Sequence, residues 1–253
     1  MKKLFIACLI ILCIVCAGCG VVSFFIYQAV SSGDYSKIPL VSLLKGSQAD
    51  LGVKYTEADA TSVLNTGGIV ATNACPAGTT CSSVKATYIG IKAVDLTLTN
   101  QQTTALINEW ITLSKNAPFT NAQVRVNADG TVDFSAMVSI SRLRNFILSS
   151  DVPQADVDQV MPYISAFGDS FPIETTGTLT ITNNQVSDNI TKFQIGLFPL
   201  PSSVFSDNQA AINSFLDDRL QLISGLSISE LSFTGGQTTF KGTVPQTMIF
   251  PKP

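Results

Sequence analysis

Cys75 and Cys81, in the stretch NACPAGTTC, are the pair whose type and spacing most directly suggest chemistry. An isolated cysteine pair in an oxidising compartment reads as a disulfide closing a short loop. A metal site there lacks the further ligands it would need. Asp151, Asp156 and Asp158 in SSDVPQADVDQV are spaced like cation ligands, but the stretch has no loop glycine and no closing glutamate. Their plain reading is a first helical turn stocked with acids that favour the helix dipole. Serines are plentiful, yet none stands in a Gly-x-Ser-x-Gly or Ser-x-x-Lys context. The chain has no histidine, which excludes Ser-His-Asp and Cys-His catalysis and any imidazole-ligated metal. No carboxylate pair has a glycosidase context, and Gly235-Gly236 precedes no helix that could cradle a phosphate. Asn189-Ile190-Thr191 fits a glycosylation sequon but falls inside an expected strand. The expectation is a non-enzymatic protein with no catalytic residues, no metal and no cofactor.

Composition bears on partners and placement. Of 253 residues, 45% are hydrophobic and 13% charged, too apolar for a disordered chain, and the pI near 4.9 argues against nucleic acid as a partner. Lys2 and Lys3 are the last charges before Asp34. The 27 residues from Leu4 to Val30 are an uncharged, mostly apolar run, longer than the ~20 a membrane-spanning helix needs. Three readings stand: an uncleaved span, a lipoprotein signal with Cys19 as the lipidated residue, and a cleaved signal peptide. The run continues through Val21, Val22, Phe24, Phe25 and Ile26, which favours the span. Cys8, Cys13, Cys16 and Cys19 then serve as small apolar filler. The paired lysines place the N-terminus in the cytoplasm and the rest outside it, anchored to the cell membrane by a single pass. With those lysines set aside, 13 basic and 18 acidic groups give the outer part a net charge of −5, which gives it no reason to lie flat on anionic lipid. The expected division is an anchor over 1–30, a juxtamembrane stalk over 31–50, an extracytoplasmic domain over 51–245 and a C-terminal tail over 246–253.

Periodicity fixes the expected elements of that domain. Thr56 with Asp59 caps a helix that ends at Gly67-Gly68, and Val84 to Leu98 alternates as one or two strands. Thr99 with Gln102 caps a helix to about Lys115, with Leu106, Trp110 and Leu113 on one face and Ile107 and Ile111 beside them. Residues 53–65 align without gaps to 96–108, as two strand-to-helix units sharing one capping solution would. From Ala122 the period changes to two. A strand over 123–127, a turn at 128–130 and a strand over 131–141 follow, the last with Val132, Phe134, Ala136, Val138 and Ile140 inward and Asp133, Ser135, Met137, Ser139 and Ser141 mostly wet. Helices are expected over 142–148 and 153–161, strands over 171–182 and 186–198 about an Asn183-Asn184 turn, and a helix over 206–223 capped by Ser206 with Gln209. A hairpin over 226–233 and 237–244 closes the domain. Strands joined by hairpins beside amphipathic helices define an α+β fold with a long antiparallel meander sheet, curved around those helices.

Three stretches carry a family resemblance: VDLTLTNQQTTALINEW, then FTNAQVRVNADGTVDFSAMVSI, then FQIGLFPLPSSV with LSISELSFTGGQTTFKGTVP. Over residues 95 to 245 the chain resembles membrane-anchored bacterial proteins of the tubular lipid-binding (TULIP, BPI-like) superfamily. The resemblance implies a curved sheet wrapped around a helix with an apolar groove for acyl chains, and no catalytic residues. On that reading Trp110, Phe134, Val138, Leu179, Phe193, Ile195 and Phe215 line the groove, and the expected partners are the membrane and a lipid or other apolar ligand. The plain alternative makes these residues ordinary core. The protein is then an envelope assembly module that binds another protein through its sheet or an apolar patch.

Overall fold

The computed structural model describes residues 46–82, 85–114, 117–149, 154–155, 157–158, 161, 168–207 and 209–251, apart from the side chains of 147, 149, 204, 211, 215 and 219. The apolar run 4–30 lies outside these residues. Among the described residues no helix is long and apolar enough to cross a membrane. The fold is mixed α+β with mostly antiparallel sheets. In chain order the elements are α1 (Glu57–Gly67), β1 (Val70–Thr72), β2 (Thr87–Ile89), β3 (Lys92–Thr99), α2 (Asn100–Leu113), β4 (Phe119–Val126), β5 (Val132–Ser139) and α3 (Ile140–Ser149). They continue with β6 (Ser170–Thr182), β7 (Gln185–Ile195), β8 (Phe198–Pro199), α4 (Ser202–Ser206), α5 (Gln209–Gln221), β9 (Ser227–Thr234), β10 (Gln237–Val244) and β11 (Thr247–Ile249).

The caps legible in the sequence start both early helices. The Thr99 hydroxyl accepts from the Gln102 N–H at 3.2 Å, and the Gln102 side chain accepts from the Thr99 N–H at 3.0 Å. The Asp59 carboxylate accepts from the Thr56 N–H at 2.7 Å. Asn183 and Asn184 both take positive φ, as a two-residue hairpin turn between long strands requires.

β4, β5, β6 and β7 form an antiparallel meander, and β9 pairs with β10, which pairs with β3. The edge of β6 opposite β7 is shared. β5 occupies it along residues 170–177, and β9 takes it over at Ile181 and Thr182. The sheet therefore divides into two arms, β5–β4 and β9–β10–β3. Their hairpin turns meet, since a Cβ built on Gly130 would lie 3.0 Å from the Phe233 carbonyl oxygen. Bulges bend the strands, one of them at Thr176/Gly177 opposite β7. There a Cβ on Gly177 would stand 2.4 Å from the Asn189 carbonyl oxygen, so only glycine fits.

α2 lies between the arms and seals the outer edge of β4. The Asn100 side chain donates to the Val126 carbonyl at 3.3 Å and accepts its N–H at 2.8 Å. The Thr104 hydroxyl does the same for Val124 at 3.1 and 3.0 Å, and the Asn108 amide for Ala122 at 2.7 and 3.2 Å. Four helical residues rise ~6 Å and two strand residues ~6.8 Å, so side chains at i, i+4 and i+8 keep step with alternate strand residues. The helix thus acts as one more strand. On the other arm the Thr103 hydroxyl meets that of Thr238 on β10 at 3.1 Å.

Several expectations change. The face of α2 read as apolar is not its most buried one: Thr104 and Asn108 are buried with Ala105 and Ile111, because they face the β4 edge. The helix expected over 206–223 is α5, which starts three residues later, at Gln209, and ends at Gln221. Ser206, expected to open it, instead ends an unexpected short helix, α4, which follows Pro201, and its hydroxyl donates to the Ser203 carbonyl. Residues 247–249, read as tail, form the central strand of a second sheet, β1–β11–β2, with a parallel β1–β11 pair. Ile249 and Phe250 are buried there. Of the helix expected over 153–161, the described residues 154–155, 157–158 and 161 are helical and the rest lie outside the description. Cys75 and Cys81 form a disulfide with Cα atoms 6.0 Å apart, in an exposed loop.

Replacing Asn108 with Leu keeps the bulk and removes both hydrogen bonds to Ala122. Unfolding free energy should fall by about 2–4 kcal/mol, read from the denaturant midpoint with an unchanged slope. A loss below about 0.5 kcal/mol would show that the β4 edge does not depend on this rung.

Candidate ligand site

The apolar residues form two clusters. The larger contains Ile111, Ala136, Val138, Ile140, Phe171, Ile173, Ile195, Leu200 and Phe205, with Ile107, Trp110, Phe119, Phe134, Ile190, Phe193 and Ile212 packed against it. The smaller contains Ile181, Val186 and Ile228, with Leu179, Leu216, Leu220, Leu226, Leu231 and Phe240 around it. Of the groove residues expected from the sequence, Trp110, Phe134, Val138, Phe193 and Ile195 come together in the larger cluster, and Leu179 belongs to the smaller one. Phe215 is on α5, but its side chain lies outside the described residues. Alternation places Phe134, Ala136 and Val138 on one face of β5, facing helices that bring Ile107, Trp110 and Ile111. Phe134 meets Phe119 edge-on with ring centroids 5.5 Å apart, and Phe193 lies 5.4 Å from Phe205 of α4.

α5 belongs to both clusters, through Ile212 to the larger and through Leu216 and Leu220 to the smaller. It covers the outer edge of β7. Asp217 accepts the Val186 N–H at 2.7 Å, and the Gln209 amide donates to the Asp188 carbonyl at 2.6 Å and to its carboxylate. Gln209, Asn213 and Asp217 repeat the i, i+4, i+8 spacing of Asn100, Thr104 and Asn108. Burial pushes the Asp188 carboxyl above its ordinary pKa, outweighing the hydrogen bonds from its own backbone and from Gln209.

The opposite face of β5 holds a polar network that sequence alternation assigned to water. Asp133 and Ser135 are buried because residues 46–52 cross this face. The Ser135 hydroxyl donates to the Ala49 carbonyl at 2.8 Å, the Gln123 side chain accepts the Leu51 N–H at 2.8 Å, and Arg125 donates to the Leu51 carbonyl at 3.2 Å. Asp133 accepts from Arg125 at 2.8 Å, from Asn127 at 3.0 Å and from Thr176 at 2.7 Å. Burial alone would raise its pKa. The bonds from Asn127, Thr176 and Arg125, with the Arg125 charge, outweigh that and hold it below the usual carboxylate range.

Of the three acids considered for a cation, Asp151 and Asp156 lie outside the described residues. Asp158 is exposed and accepts from Arg144 at 3.2 Å and from Gln154 at 2.6 Å. Among the described residues no three His, Cys, Asp or Glu side chains are grouped to hold a metal. Sequence reasoning missed Asn100, Thr104, Asn108 and the Gln209, Asn213, Asp217 row. The available signal was the repeat of hydrogen-bonding residues at i, i+4 and i+8 along each helix. No known protein family, curated protein or solved structure matches the chain.

A carboxyl with a depressed folded-state pKa stabilises above its unfolded pKa of ~3.9, and that contribution is lost as pH falls through the lower folded value. Asp133→Asn should therefore narrow the gap in stability between pH 6 and acid relative to the parent protein. Its cost at neutral pH should be about 1–3 kcal/mol, reduced by the solvent that reaches Arg125. Equal pH dependence of the two proteins in denaturant melts would remove Asp133 as a contributor.

Proposed function

We propose that this protein is a non-enzymatic, membrane-anchored extracytoplasmic protein that binds a lipid or similar amphiphile among the apolar residues between its sheet and its helices. The observation that carries the reading is the meeting of Trp110, Phe134, Val138, Phe193 and Ile195 in one cluster between the sheet and elements connected by hairpins and short helices. Apolar and aromatic side chains gathered between sheet and helices offer an acyl chain the area and the scarcity of polar contacts it needs. The uncleaved span at residues 4–30 would hold this domain beside the bilayer that supplies such a ligand. The resemblance to tubular lipid-binding proteins adds the expectation of a curved sheet around a helix.

A second reading, an envelope assembly module, is favoured by a different observation. Val70 and Ile89 flank Thr247 in one row across the small sheet, and both are exposed, as are Ile91 and Leu222. Exposed aliphatic side chains at one end of a domain suit a protein partner.

Organic extraction of the full chain, purified in a detergent distinguishable by mass, should yield lipid at near-stoichiometric amount in mass spectrometry. Phe193→Asp, placing a carboxylate in the larger cluster, should reduce that yield several-fold. A lipid-free extract from the parent protein would favour the assembly reading.

A further inference from the structure

α2 and α5 both cover a strand edge and are fastened to it unequally. α2 satisfies both backbone groups of Val126, Val124 and Ala122 with three side chains. Among the described residues, α5 accepts the Val186 N–H through Asp217 and donates to the Asp188 carbonyl and carboxylate through Gln209. Between those contacts stands Asn213, whose Oδ1 is buried and has no hydrogen-bond partner among the described residues. Gln209 and Asp217, eight residues apart, reach strand residues only two apart, so β7 offers no outward-facing residue between them, and a buried acceptor left without a partner weakens the closed seal. The segment that carries α5 is also bounded by breaks. Pro199 and Pro201 precede it, α4 ends at Ser206, and Gly225 follows with φ +85°.

α5 covers part of both apolar clusters. Ile212 reaches the larger and Leu216 the smaller, while Ile190 and Val186 of β7 lie beneath them, one in each cluster. Among the described residues, lifting α5 from β7 would break the bonds that Gln209 and Asp217 make to β7 and open a strip of apolar surface joining both clusters. Lifting α2 would strip six backbone groups of their partners.

We propose that α5 is a lid and that an acyl-chain amphiphile enters and is held between α5 and β7. The chain lies on the Ile190 and Val186 side of β7, and a head-group hydroxyl or amine donates to Asn213 Oδ1. The inference rests on the lipid-binding reading and adds to it the way in and the polar anchor. Asp217 is the positioning residue of the latch, acting through the Val186 N–H.

Hydrogen–deuterium exchange on the full chain, with and without a long-chain fluorescent monoacylglycerol, whose head group carries hydroxyl donors, delivered from phosphatidylcholine vesicles, tests this. Without the monoacylglycerol, peptides covering 209–221 should exchange at least about tenfold faster than those covering 100–113. With it, protection should rise over 209–221 and 185–191 and stay unchanged over 100–113. Asp217→Ala should speed uptake of the probe, while Asp218→Ala, on the exposed face of the same helix, should not. Equal protection of the two helices, or protection by the probe confined to another segment, would overturn the lid even if lipid binds. A parent protein that takes up no probe and yields no lipid on extraction would overturn the lid together with the lipid-binding reading.

Discussion

The outer edge of β4 presents three residues whose N–H and C=O groups point away from β5, and α2 covers them. Covered backbone groups without partners would cost more than the packing of the helix returns. Asn100, Thr104 and Asn108 resolve this by giving each of these residues one donor and one acceptor. Much else follows from that ladder. Because α2 is held in the plane of the sheet edge, its other sides are free to carry Ile107, Trp110 and Ile111 into the larger cluster and Thr103 to β10. The two arms of the sheet are thereby tied to one rod, and an edge that could otherwise recruit a foreign strand is closed.

α5 also covers a strand edge, with fewer hydrogen bonds among the described residues, and on the lid proposal it is the movable one of the two. Its polar residues do not keep step with the strand as those of α2 do, since Gln209 and Asp217 meet residues only two apart. Asn213 between them is left with an unpartnered oxygen. An edge that needs protection from aggregation and also needs to open would be sealed in this manner, with enough hydrogen bonds to register the helix and too few to fix it. The apolar contacts of Ile212, Leu216 and Leu220 hold the helix closed without specifying direction, so the opening costs mainly exposed area.

The strap formed by residues 46–52 ties the start of the described chain to β4 and β5 through Ser135, Gln123 and Arg125. It turns the polar face of β5 into an interior. A carboxylate can remain ionised there because Asn127, Thr176 and Arg125 all donate to it. On the proposed topology, this strap is also where an anchored N-terminus would meet the domain, so the polar network fixes the direction from which the chain leaves the sheet.

Most local elements are legible in the chain itself. Period two marked β5, β6 and β7, Asn183-Asn184 marked their turn, and Thr99 with Gln102 marked the start of α2, because each signal is carried by neighbouring residues and by backbone preference. Periodicity also singled out Trp110, Phe134, Val138, Phe193 and Ile195, which meet in the larger cluster, because it assigns a face before any partner is known. Pairing was decided only in three dimensions. That β6 shares one edge between β5 and β9, that β11 lies between β1 and β2, and that Asp133 and Ser135 are buried under 46–52 all depend on residues far apart in the chain. The same holds for the ladders. Asn100, Thr104 and Asn108 look like the polar side of an amphipathic helix until a strand edge is placed beside them. A hydrogen-bonding side chain has no preferred environment until its partner is fixed, whereas an apolar one prefers the interior wherever that forms.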